Sequence, residues 1–249
     1  MSFAVTVLGS AGMFSTLDRA SAGYLVQIDD TNVWLDAGGG TWRNLLHEID
    51  YEDLHAVVLS HRHPDHTIDV FQAFHARMYG QQEPLPKIPL WAPAETIDRL
   101  TGFTDHFPES FELNAVEAGS VFELAGATFS FFAMAHPPVT LGVRVEYDGR
   151  VLAYSADTGV GGDFARLAKD ADLFICEATF QATDEDWEGH MHAAEAAEIA
   201  VRYGVRNLVL THLPPRRDLN LSLTEAHREA PNGVTLQLAD DGRRYEVGG

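Results

Sequence analysis

The chain has 249 residues, 45% of them hydrophobic and 22% charged, which is enough apolar material for one large core, and we expect a single domain over residues 1–249. Its formal charge of -20 excludes a basic nucleic-acid-binding face, because loose association with phosphate backbones depends on Lys and Arg displacing counterions; a pocket holding divalent cations can still be locally positive. No stretch approaches the roughly 18 consecutive apolar residues of a membrane span, no basic segment leads into a signal-type apolar region, and the lone Cys176 forbids an internal disulfide, so a cytoplasmic protein with Cys176 packed in a buried strand is expected.

Short β-branched and apolar runs between glycine turns predict strands at 3–8, 23–28 and 33–35. After Gly38-Gly39-Gly40, apolar Trp42, Leu45, Leu46 and Ile49 predict a helix over 41–49 with Thr41 as its N-cap. A buried strand over 56–59 then runs straight into Ser60-His61-Arg62-His63-Pro64-Asp65-His66, followed by a helical pattern over 67–78. Pro84, Pro86, Pro89 and Pro93 break the chain around a short strand at 88–91, and residues 80–120 give the least pattern. Strands follow at 127–133, 142–147 and 151–154, the last two joined by the hairpin signal Asp148-Gly149. Strands at 173–176 and 207–210 enclose an alanine-rich helix over 193–203 that Gly204 should terminate, and strands at 234–238 and 244–247 close the sequence. This order predicts mixed sheets covered by helices on their outer faces, a layered α/β sandwich.

Three of the 12 histidines fall within six residues, at 61, 63 and 66, together with Asp65 and directly after a buried strand. On a tight strand-to-helix turn, this spacing points imidazoles and a carboxylate into one small volume, and both suit zinc and similar divalent ions. His136, Asp157 and His212 each follow a predicted strand, so residues along one sheet edge can converge on the same cleft.

At this point the chain resembles the metallo-β-lactamase superfamily, and within it the branch of ribonuclease Z and related phosphodiesterases. The motifs that carry the resemblance are Thr6-Val7-Leu8-Gly9-Ser10-Ala11-Gly12, Leu35-Asp36-Ala37-Gly38, the His61 to His66 segment, Ala135-His136-Pro137, Tyr154-Ser155-Ala156-Asp157-Thr158-Gly159, Glu177-Ala178-Thr179, Gly189-His190 and Leu210-Thr211-His212-Leu213-Pro214-Pro215. It implies an αββα four-layer sandwich with a dinuclear site at its edge. One ion would sit on His61, His63 and His136, the other on Asp65, His66 and His212, with Asp157 bridging. The ions are expected to be zinc, or manganese in its place.

Two such ions lower the pKa of a shared water and neutralise charge developing on a phosphoryl oxygen, so a small phosphodiester, with 3′,5′-cyclic nucleotides foremost, is the expected substrate. Asp65, Glu177 and His190 are the expected catalytic residues, His190 as general acid oriented by Glu177, with His192 the alternative donor. Asp36 is expected to fix an imidazole ligand through a hydrogen bond. Arg216 and Arg217 are read as solvated, and Trp42, Phe103 and Phe107 either line a pocket or pack. A ribonuclease Z-like tRNA 3′-end endonuclease is the first alternative, but only 20 residues separate His136 from Asp157 and the chain has two lysines, Lys87 and Lys169, so no basic arm fits. A lactone or thioester hydrolase and a non-catalytic metal-binding protein follow. No membrane partner is expected, and the sequence allows a homodimer.

Overall fold

The computed structural model describes every residue except Asp186 and Pro231. Its N-terminal half runs β1 (Phe3–Gly9), β2 (Gly23–Ile28), β3 (Thr31–Ala37), α1 (Thr41–Glu48), β4 (Ala56–Val58), α2 (Pro64–Thr67), α3 (Val70–Tyr79), β5 (Ile88–Ala92), α4 (Ala94–Phe103) and β6 (Phe111–Ala115). The remainder runs β7 (Val121–Leu124), β8 (Ala127–Ala133), β9 (Leu141–Tyr147), β10 (Arg150–Tyr154), α5 (Phe164–Leu167), β11 (Leu173–Glu177), α6 (Ala193–Arg202), β12 (Asn207–Thr211), α7 (Leu219–Glu229), β13 (Thr235–Leu238) and β14 (Arg244–Glu246). Two seven-stranded mixed sheets result, ordered β14-β1-β2-β3-β4-β5-β6 and β13-β12-β11-β10-β9-β8-β7.

Side-chain alternation assigns the layers. Phe3, Val5 and Val7 of β1 meet Phe129 and Phe131 of β8 and Leu173 and Ile175 of β11 in the core between the sheets. The opposite faces pack on helices: Trp34 and Val57 against Leu45, Phe74 and Leu100 of α1, α3 and α4, and Phe174 and Leu208 against Leu167, Ala197 and Ala226 of α5, α6 and α7. This is the αββα sandwich expected from the sequence. Cys176 is buried in the second of these helix-facing layers, so it packs as foreseen.

Three local expectations change. Thr41 is the first helical residue of α1 rather than its cap; Gly40 precedes it with φ 94°, and the Asp69 carboxylate receives the Gly40 and Trp42 amides at 2.8 and 2.9 Å. The helical run over 67–78 is two helices, with Ile68 and Asp69 between them. Residues 80–120, poor in pattern, hold α4, β6 and a 3-10 turn at Phe107–Glu109, and α7 also lies outside the predicted elements.

β8 and β10 both run antiparallel to β9, and β10, β11 and β12 are mutually parallel, so four strands end on one edge of the second sheet. His136, Asp157, Glu177 and His212 lie at or just beyond those ends. β4 delivers the His61 segment to the same edge from the first sheet, where Leu141 N donates to Ser60 O at 3.1 Å.

Candidate metal centre

The seven residues singled out by sequence come together. His61, His63, His136 and Asp157 form one cluster of donor atoms and Asp65, His66, Asp157 and His212 another, each spanning no more than 4.8 Å. In the first, His63 Nδ1 lies 3.1 Å from His61 Nε2 and 3.2 Å from His136 Nε2. In the second, His212 Nε2 lies 3.4 Å from Asp65 Oδ2. Asp157 belongs to both: its Oδ2 is 3.6 and 3.8 Å from His61 and His136 Nε2, its Oδ1 3.2 and 3.4 Å from His66 and His212 Nε2.

This donor set fits divalent ions. His66 Nε2 and Asp157 Oδ1 are buried without a hydrogen-bond partner, a state that costs about 1–3 kcal/mol per group unless something electrophilic sits between them. Histidine nitrogens and carboxylate oxygens are the ligands that zinc-like ions take.

In four of the five histidines the other ring nitrogen is tied down. His61 Nδ1 lies 3.0 Å from Ser60 Oγ, His66 Nδ1 2.8 Å from Asp36 Oδ2, His136 Nδ1 2.8 Å from Gly189 O, and His212 Nδ1 2.7 Å from Thr179 Oγ1. Such contacts fix the ring plane and leave the remaining nitrogen free to bind a cation. Asp36 is wholly buried and also accepts from Ser60 N, Ser60 Oγ and Tyr154 OH, each at 2.7 Å. The hydrogen bond foreseen for Asp36 thus goes to His66. Ser60, Tyr154, Thr179 and Gly189 all stand in the motifs quoted from the sequence, but their roles in orienting the ligands and Asp36 were not assigned there.

Three of the nine non-glycine residues with positive φ among the described residues lie here. Asp36, Ala156 and His212 adopt φ of 57°, 53° and 51°, a left-handed region that costs a non-glycine residue about 1–3 kcal/mol and turns the chain sharply at a strand end. Gly38 permits the close approach of the His61 segment, since a Cβ there would stand 2.0 Å from Asp65 O.

Burial pushes the His61, His63 and His136 imidazoles below their ordinary range. Burial also opposes a charge on His66 and His212, but for His66 the Asp157, Asp36 and Asp65 carboxylates, and for His212 Asp157 and its bond to Asp65, outweigh it and raise both. Asp157 is buried too, yet the His212 and His66 charges hold its carboxyl well below the usual range.

Beside this cluster, His190 Nδ1 lies 2.8 Å from Glu177 Oε1, and Thr179 Oγ1 donates to Glu177 Oε2 at 2.7 Å. His192 caps α6 in a reciprocal pair with Glu195, whose carboxylate takes the His192 amide at 2.8 Å. A cleft of about 750 Å³ is lined by His136, Val160, Trp187, His190 and His192 among others. Arg217 binds Asp184 at 2.8 Å and so anchors the loop after β11. Trp42 packs on Trp34 and Tyr51, Phe107 is core, and Phe103 is 72% exposed.

The fold and this site define a metallo-hydrolase, and the chain belongs to the beta-lactamase superfamily, whose domain profile matches residues 31–213. An uncharacterized protein of Mycobacterium tuberculosis is 32% identical over 97% of this chain and 92% of its own length. Ribonuclease Z of Kineococcus radiotolerans is 30% identical, covering 95% of this chain and 93% of the relative. Among solved structures, the metallo-beta-lactamase fold protein YhfI of Bacillus subtilis superposes with a TM-score of 0.90 at 27% identity, covering 99% of this chain and 100% of that one. No helix among the described residues is long and apolar enough to cross a membrane.

Proposed function

We propose that this enzyme hydrolyses small phosphodiesters, 3′,5′-cyclic nucleotides foremost, at a centre of two divalent ions, zinc or in its place manganese. The observation that carries the reading is Asp157, whose two oxygens face two different ligand sets, as a bridging carboxylate must. His61, His63 and His136 would hold one ion and Asp65, His66 and His212 the other. Two ions so held would supply charge neutralisation at a phosphoryl oxygen and a water of lowered pKa.

The chain's own groups handle the leaving oxygen. His190 is held through Nδ1 by Glu177, so Nε2 is the nitrogen left to deliver a proton to the departing alkoxide. Glu177 fixes that orientation. His192 is engaged as a helix cap, which supports His190 as the donor. The cleft walled by Trp187 and Val160 adjoins His190 and would shelter the leaving group from water. We read residues 1–249 as one hydrolase domain, because both sheets share the apolar core between them, and propose that it works in the cytoplasm.

The identity to ribonuclease Z favours a second reading, a tRNA 3′-end endonuclease. Charge and length weigh against it. The chain carries -20 with two lysines, and β9, β10 and the Asp148-Gly149 turn occupy most of the stretch between His136 and Asp157. The alignment to that relative spans 293 positions, more than the 249 residues present, so the relative has stretches without a counterpart here. Incubating metal-loaded protein with 3′,5′-cAMP and with a 3′-extended tRNA precursor at matched low salt separates the readings. AMP release with an intact precursor is expected. Efficient precursor cleavage without AMP would overturn the small-diester reading in favour of the endonuclease.

A further inference from the structure

Two recesses with no lining residue in common lie near the ligand cluster, the first lined by the ligand His136 and the second by residues that flank the ligands in sequence. One is the cleft beside His136 and His190. The other, of about 210 Å³, lies among α2, α3 and α4 and touches the metal motif through Arg62 and Pro64, the neighbours of His63. In a 3′,5′-cyclic nucleotide both ester oxygens belong to one ribose, so with the phosphate at the centre and the departing oxygen toward His190, the base carried by that ribose is the group left to extend into the second recess.

The chemistry of that recess is specific. Phe71 and Phe103 form a tilted ring pair with centroids 4.5 Å apart, and Phe103 is largely exposed on the surface of an acidic protein. The Arg99 guanidinium has no hydrogen bond or ion pair among the described residues, and Arg62 reaches a single carboxylate, Glu95, at 3.6 Å. Thr96, in the same wall, is wholly buried with its hydroxyl unpartnered. A second phosphate would engage the guanidinium and leave the rings bare. An alkyl arm would cover the rings and leave the guanidinium bare. A nucleobase satisfies both, stacking by its face and accepting hydrogen bonds along its edge.

We propose that the recess among α2, α3 and α4 is a nucleobase subsite, with Phe71 and Phe103 against the ring and Arg99 on its acceptor edge. Guanine, whose O6 and N7 form a two-acceptor edge, is the base that best matches a guanidinium. The inference rests on the diesterase reading for the position of the phosphate.

Calorimetric binding to metal-loaded protein tests it without turnover, using 5′-GMP and ribose 5-phosphate, which differ only by the base. GMP should bind about tenfold or more tighter, the scale of one base stacking on aromatic side chains. Phe103→Ala and Arg99→Gln, both at exposed positions of α4, should each remove most of that gain and leave ribose 5-phosphate binding and the melting temperature unchanged. GMP binding no tighter than ribose 5-phosphate, or a gain that survives either substitution, would overturn the subsite. If base selectivity behaves as expected while no diester is hydrolysed, the subsite stands and the diesterase reading falls.

Discussion

Thr179 Oγ1 lies 2.7 Å from His212 Nδ1. The same hydroxyl donates its proton to Glu177 Oε2, so it can only accept from His212, which places a ring proton on Nδ1 and leaves Nε2 as the nitrogen that faces Asp65 and Asp157. Glu177 therefore orients two imidazoles, His190 directly and His212 through Thr179. Thr179→Val keeps the side-chain shape and deletes the relay. We expect affinity for the second ion to fall about 10–100-fold with the first ion retained, read by chelator competition. Equal affinity for both ions in the variant would remove Thr179 from the relay.

For His190, the expectation is a dependence on leaving group. His190→Ala should lower kcat by about 10²–10⁴-fold for diesters that expel an alkoxide, and far less for activated nitrophenyl esters, which depart without a proton. Equal losses on both substrates would point to a positioning role instead.

Asp36 accepts four hydrogen bonds in a fully buried setting. Asp36→Asn replaces one acceptor oxygen with a donor that meets donors. Metal-free protein should lose about 1–3 kcal/mol of stability in urea unfolding. An unchanged midpoint would show that Asp36 serves the metals alone.

The two ligand sets differ in protonation. In metal-free protein His66 and His212, raised above the ordinary imidazole value of 6.5, hold a second ring proton to higher pH than His61, His63 and His136, lowered below it. The raised pair stabilises the metal-free fold below that ordinary value and loses this contribution as pH rises through the raised values. Loading the second ion must expel those protons, so it should weaken first as pH falls, while the first ion persists to lower pH. Calorimetry in buffers of different ionisation enthalpy should detect proton release at neutral pH that shrinks in His212→Gln. Release unaffected by that substitution would contradict the assignment.

The candidate ligands were legible in the sequence because each is a polar residue set directly after an apolar strand, where type and position coincide. The roles of Tyr154 and Thr179 gave no such signal, because the groups they orient are distant in sequence: Tyr154 and Asp36 are 118 positions apart, Thr179 and His212 33. Residues 80–120 hid α4 because Pro93 and Gly102 bracket its Ile97 and Leu100 spacing, and hid β6 because only Phe111 of that strand is fully buried. Helix α7 was missed for a similar reason, since it buries only Ser222 and Ala226 and its apolar stripe is faint.

The central claim is that Asp157 bridges two ions, and metal stoichiometry tests it most directly. Elemental analysis of metal-replete protein after exhaustive dialysis should give two ions per chain for the native sequence and one or fewer for Asp157→Ala, with both proteins folded by circular dichroism. A single ion in both proteins, or two in both, would contradict the bridge.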